Sequence, residues 1–158
     1  LVQTVPSPAF YQDNNADNSR LRFALQWSVV PINFSFNANK LVSPVQFFIV
    51  NPVRRLGGSA ELFVQPTWVT SNFEYADLNR FILSTGARFY IPAIESGEYL
   101  AFSIGGKYRF RKSKNGVNEN TYGIELASYT FFGILSLQFD YNFTGQSRYD
   151  LGINLKYY

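Results

Sequence analysis

The stretch LAFSIGGKYRF, residues 100–110, decides the fold. Leu100, Phe102, Ile104, Tyr108 and Phe110 share one parity, and Ala101, Ser103, Gly105, Lys107 and Arg109 share the other. Side chains of an extended backbone alternate between two faces, so this is a strand with one apolar face and one small, polar or cationic face. The same reading continues toward the C-terminus. Tyr122, Ile124 and Leu126 oppose Thr121, Gly123, Glu125 and Ala127. Leu135, Leu137, Phe139, Tyr141 and Phe143 oppose Ser136, Gln138, Asp140 and Asn142, and Tyr149, Leu151, Ile153, Leu155 and Tyr157 oppose Asp150, Gly152, Asn154 and Lys156. Short turn-like links join these consecutive segments, which predicts an antiparallel meander.

Toward the N-terminus the pattern is less regular. Phe81, Leu83, Ala87, Phe89 and Ile91 stand against Ser84, Gly86 and Arg88, while Ala60, Leu62, Val64, Pro66 and Trp68 stand against Glu61, Gln65 and Thr67. Residues 41–50 read as a further strand of unclear parity, disturbed by Pro44. Leu21, Phe23, Leu25, Trp27 and Val29 alternate with Arg22, Ala24, Gln26 and Ser28, and after Pro31 the apolar parity flips to Ile32, Phe34 and Phe36. One extra residue swaps faces, so a bulge is expected at Val30-Pro31. Pro6, Pro8 and the polar run of residues 13–19 predict that residues 1–19 form a tail outside the sheet, leaving residues 20–158 as the β domain. The count is about eight strands, an all-β fold.

Composition excludes much chemistry. The 158 residues include no Cys, His or Met, so disulfides, thiolate nucleophiles, imidazole-based triads and His-ligated zinc are ruled out. Aromatics reach 18%, and charged residues only 16%, below the roughly 25% usual for soluble domains. The net charge of +3 is a mild excess and points to no nucleic-acid partner. The dense basic run, Arg109, Arg111, Lys112 and Lys114 beside Asn115-Gly116, reads as a solvated hairpin end, or alternatively as a contact for phosphate or a lipid headgroup. No run approaches the ~18 apolar residues of a spanning helix. No residue stands out as catalytic, cofactor-binding or metal-ligating, and no cofactor is expected.

An alternating sheet closes in one of two senses. Its apolar face lines a soluble barrel or sandwich, or it covers the outside of a barrel set in lipid while the polar face fills the lumen. Arg22, Glu61, Arg88, Lys107, Arg109, Glu125, Asp140, Asp150 and Lys156 all fall on the polar face. Aromatics gather near strand ends, as interfacial girdles would. The second sense is therefore expected: a closed antiparallel up-and-down transmembrane barrel. An eight-stranded lumen has room only for side chains, so its charges must pair. The expected network sets Glu125 between Lys107 or Arg109 and Gln138 or Asp140, joins Asp150 to Arg22 across the closing seam, and places Glu61 beside Arg88. Gly86, Gly105, Gly123 and Gly152 on the lumen face are expected to leave room for the long side chains.

The last nine residues, Asp150 to Tyr158, resemble the C-terminal β-signal of bacterial outer-membrane proteins: Asp150, Gly152, Leu155 and Tyr157 match, with Tyr158 as the terminal aromatic, or Tyr157 if the register shifts by one. Size and architecture over residues 20–158 resemble the small eight-stranded barrels of the OmpA and OmpX type. The resemblance implies a Gram-negative outer membrane reached after loss of a signal peptide, contact with outer-membrane lipid, recognition by the barrel-assembly machinery, and room for a place in a membrane protein complex. Because lipid-modifying barrels of that membrane depend on His, the expected role is non-enzymatic: a structural or accessory anchor that docks a partner. A narrow porin-like channel, a lipid-modifying enzyme and a soluble lipocalin-like binder are the alternatives.

Overall fold

The computed structural model describes residues 5–14, 17–36, 44–49, 57–95, 98–131 and 133–155. Ten strands form: β1 (Ser7–Asn14), β2 (Ser19–Gln26), β3 (Val29–Ser35), β4 (Val45–Ile49), β5 (Ser59–Val69), β6 (Phe81–Ile94), β7 (Leu100–Arg111), β8 (Thr121–Thr130), β9 (Leu135–Asn142) and β10 (Tyr149–Leu155). β2 and β3 are two halves of one wall strand. Both pair with β5, through Gln26↔Thr67 and Ile32↔Leu62, and the Trp27 amide between them donates to the Pro66 carbonyl at 2.9 Å. From β5 the ladder runs through β6, β7, β8, β9 and β10 to β1, which returns to β2. The result is a closed antiparallel eight-stranded barrel, with β4 as one outer strand that, among the described residues, pairs with β3 alone.

Two expectations are corrected. Within the segment 1–19 expected to be a tail, residues 7–14 form β1, a wall strand paired with β2 over its full length and with β10 at Ala9↔Gly152 through Tyr11↔Asp150. Its outward set, Pro8, Phe10, Gln12 and Asn14, holds one large apolar residue, so the alternation is hidden in a polar sequence. Pro6 and Pro8 fall before and at the start of the strand, where a missing N–H is tolerated. The second correction follows from the first. Since β1 fills the place beside β2, residues 45–49 of the strand expected at 41–50 lie outside the wall. They continue along the same edge where β1 runs out: Ser7 lies opposite Gln26, and Ile49 takes over opposite Val30. Only residues 45–49 of that segment's strand are described.

The expected bulge is present, as the β3–β5 register shifts between Val29 and Ile32. Past it, Asn33 and Ser35 turn inward and Ile32 and Phe34 outward. Sidedness holds around the circuit: the exposed wall carries Phe23, Leu62, Trp68, Phe89, Phe102, Ile104, Leu126 and Phe139, whereas the interior carries the charged and amide side chains. Rings concentrate at the end bearing the links 70–80, 112–120 and 143–148. Trp68–Phe81 (6.4 Å), Tyr108–Phe110 (4.8 Å), Tyr122–Phe143 (6.0 Å), Tyr141–Tyr149 (5.4 Å) and Phe10–Phe23 (5.7 Å) lie there. Phe34, Phe36 and Phe89 group toward the opposite end.

Candidate functional site

The interior charges are ordered by strand register. Read around the wall, Glu61 lies opposite Arg88, Arg88 opposite Gly105, Gly105 opposite Glu125, Glu125 opposite Asp140, Asp140 opposite Asp150, Asp150 opposite Tyr11, and Tyr11 opposite Arg22. Three carboxylates on β8, β9 and β10 therefore stand side by side. Like charges directly opposite one another repel. Three cations from β6 and β7 answer them. Arg88 donates to Glu125 at 2.8 Å, Lys107 donates to Asp140 and lies 3.9 Å from Glu125, and Arg109 donates to Asp150. Arg88 also lies 3.6 Å from Glu61 and 4.2 Å from the Phe63 ring centre. Gln138 donates to Glu125 at 3.1 Å and to Asp140, accepts from Gln65 and Asn154, and so ties three levels together. Asn142 and Ser147 donate to Asp150 at 3.1 and 3.2 Å.

The buried charges among the described residues balance in number, although Arg111 meets a ring and a carbonyl and not a carboxylate. Arg22, Arg88, Lys107, Arg109 and Arg111 are the cations and Asp13, Glu61, Glu125, Asp140 and Asp150 the anions, five of each, and the first four cations lie within ion-pair distance of a carboxylate. Burial of so many ions is tolerated only with close partners, since each unpaired one costs several kcal/mol.

The glycines expected on the lumen face, Gly86, Gly105, Gly123 and Gly152, are there. Gly105 has a definite task. It stands in register between Arg88 and Glu125, and a Cβ on it would meet the Arg88 Cβ at 2.7 Å and the Ala87 carbonyl at 2.5 Å. With no side chain at that place, the Arg88 guanidinium crosses to a carboxylate two strands away. Gly105→Val is expected to lower stability by about 1–3 kcal/mol through overpacking alone, and by more if the ion pair breaks. A chemical-unfolding midpoint in detergent measures this, and an unchanged midpoint refutes the role.

The expected Asp150–Arg22 contact across the seam does not form. β1 intervenes there, with Tyr11 in register between the two. Asp150 turns to Arg109, and Arg22 turns to Asp13 at 2.8 Å and Glu74 at 3.1 Å. Glu125 meets Lys107 and Gln138 as expected, but Arg88 is its close cation and Arg109 is not a partner. Glu61 and Arg88 meet as expected. Of the anticipated assembly signal, Asp150 and Gly152 point inward on β10 and Leu155 ends that strand. Lys156, Tyr157 and Tyr158 lie outside the described residues.

Sequence reasoning missed the cover of one mouth. The link 70–80 folds inward, burying Phe73, Ala76 and Leu78 against Ala9, Tyr11, Ala24, Val69 and Ile82. Asp13 clamps it, accepting the amides of Glu74 (2.8 Å), Tyr75 (3.1 Å) and Ala76 (2.8 Å) together with the Arg22 guanidinium. The basic run completes the seal. Arg111 stacks 4.3 Å from the Phe73 ring centre and donates to the Asn79 carbonyl, while Lys114 donates to the Phe73 carbonyl at 2.7 Å. Asp77 accepts from Ser113 and Asn115. Hence Arg109, Arg111 and Lys114 are engaged with carboxylate, ring and carbonyls, and the run is not simply a solvated hairpin end. Phe73 and Leu78, apolar residues in an otherwise polar link, were the signal available in the sequence.

Among the described residues, no cluster of carboxylates has metal-holding geometry. Compared with protein-family models, curated proteins and solved structures, the chain has no match.

Proposed function

We propose that this barrel spans a bacterial outer membrane as a closed, non-conducting and non-enzymatic structural or accessory protein. The observation that carries the reading is its sidedness: a neutral, ion-paired interior enclosed by a wall of exposed Phe, Leu, Ile and Trp. In lipid, backbone N–H and C=O groups must be paired within the protein, and a closed ladder does so without edges. The aromatic ring at the covered end suits a membrane–water interface. The β-signal resemblance of Asp150, Gly152 and Leu155 supports delivery by the barrel-assembly machinery. With the interior filled and one mouth covered by the link 70–80, the barrel serves as an anchor whose rim is available to a partner.

The lipocalin-like alternative required the apolar face to line a cavity, and that face is outside. The enzyme alternative is disfavoured by the lack of His and Cys in the sequence. The channel alternative requires the Arg88–Glu125 and Lys107–Asp140 pairs to part. Purified protein is expected to need detergent, to migrate faster on a gel before boiling than after, and to give no sustained large conductance steps in a planar bilayer. Solubility without detergent overturns the membrane assignment. Large steady conductance overturns the closed lumen and leaves the membrane assignment standing.

A further inference from the structure

We propose that the fork between β1 and β10 at the covered rim is a binding site for a neutral saccharide. The ladder at the closing seam stops at Tyr11↔Asp150, while β1 continues to Asn14 on its β2 side and β10 begins only at Tyr149. The two strands diverge there. The opening between them is a cavity of about 620 Å³, within the ~300–1,000 Å³ range of small-molecule sites. Gln12 and Asn14 form one side, Arg148 and Tyr149 the other, and Tyr75 and Asp77 of the folded-in link close the inner end. Gly145 and Gln146 of the 143–148 hairpin complete it.

The chemistry of this lining selects the ligand. One guanidinium and one carboxylate leave no net charge, which favours neither a phosphate nor a cation. Carboxamides, a carboxylate, a guanidinium and two phenols offer both donors and acceptors, as hydroxyls that both give and accept protons require. Two tyrosine rings supply the apolar surface that the C–H face of a pyranose requires. Gln12 directs its Nε2 to Ser19 at 3.1 Å, which holds its carboxamide at the wall of the opening. Asp77 directs Oδ2 to Ser113 and Asn115, which fixes the carboxylate at the cavity wall. The walls are held in place, since the Asp77 amide donates to Gln146 Oε1 at 2.9 Å and the Gln146 amide to Glu119 Oε1 at 3.1 Å.

The opening adjoins the aromatic belt, since Tyr149 also packs beside Tyr141 at 5.4 Å, but the binding test reads the saccharide directly and its outcome is separate from that of the membrane assignment. The test takes the full chain in lauryldimethylamine oxide micelles, a detergent with no sugar headgroup. Maltotriose, cellotriose and N,N′-diacetylchitobiose are the neutral probes, and glucose 6-phosphate and glucosamine the charged ones. Saturation-transfer NMR is expected to show ring-proton contact for at least one neutral probe, with a dissociation constant of about 10 mM or tighter. Tyr149→Ala is expected to weaken it about tenfold, and Tyr149→Phe, which keeps the ring, to retain most of it. Gln12→Leu removes a carboxamide that lines the opening, and affinity is expected to fall with no change in gel migration of the folded form. No binding of any neutral probe, binding indifferent to Tyr149→Ala and Gln12→Leu, or stronger binding of a charged probe overturns the assignment.

Discussion

Replacing Asp13 by alanine is expected to release the folded-in link 70–80 and to lower the unfolding free energy by about 3–5 kcal/mol, the usual cost of removing one partner of a buried ion pair. The carboxylate is fully buried and has four donors: three successive backbone amides of the link and the Arg22 guanidinium. Without it, three amides lose their acceptor and Arg22 keeps only the half-exposed Glu74. The local readout is trypsin cleavage after Arg80, whose guanidinium is tied to the Val69 and Thr70 carbonyls in the closed form. Cleavage there is expected in Asp13→Ala and not in the parent protein. Asp13→Asn keeps one acceptor oxygen and is expected to fall between the two. An alanine variant as resistant and as stable as the parent shows that Phe73 and Leu78 hold the link without the clamp.

The second large effect is expected at Arg88. Arg88→Met removes the cation that lies against Glu125 at 2.8 Å and Glu61 at 3.6 Å and that covers the Phe63 ring. Glu125 then keeps the Gln138 amide and, as its one remaining cation, Lys107 at 3.9 Å, already held by Asp140. A loss of at least about 3–5 kcal/mol follows if the interior stays dry. Arg88→Met with Glu125→Gln removes one of the two exposed anions and is expected to recover part of the loss, as coupled neighbours do. The measurement is the denaturant midpoint of folded protein in detergent for both variants and for Glu125→Gln alone. Strict additivity of the two changes refutes the pairing as an energetic unit.

The alternation was legible because each face of these strands meets one environment. From β5 to β10, parity alone placed Glu61, Arg88, Lys107, Arg109, Glu125, Asp140 and Asp150 inside and Phe102, Ile104, Leu126 and Phe139 outside. The bulge at Val30-Pro31 was legible for the same reason, since the parity flip marks it. β1 was not, because Ser7, Ala9, Tyr11 and Asp13 face a polar lumen while three of its four outward residues are proline or amides. A strand whose two faces are alike in polarity carries no parity signal.

Pairing across the lumen was only partly legible. Glu61 with Arg88 follows from adjacency on β5 and β6. Arg88 with Glu125 depends on Gly105 being empty, and Arg109 with Asp150 on how far a long side chain crosses the interior. The cover over the mouth depended on three amides of a link converging on one carboxylate sixty residues earlier in the chain.

By itself, then, the amino-acid order determined the all-β class and, from β5 to β10, the inward set of charges and the outward set of rings. These follow from a local rule, since neighbouring side chains on an extended backbone must face opposite ways. The tertiary structure alone decided that residues 7–14 complete the wall, that residues 45–49 stand outside it, which acid each base meets, and that the link 70–80 closes the mouth. Those outcomes depend on the register of strand pairing and the curvature of closure. Both are properties of the whole sheet, and no short stretch of the chain contains them.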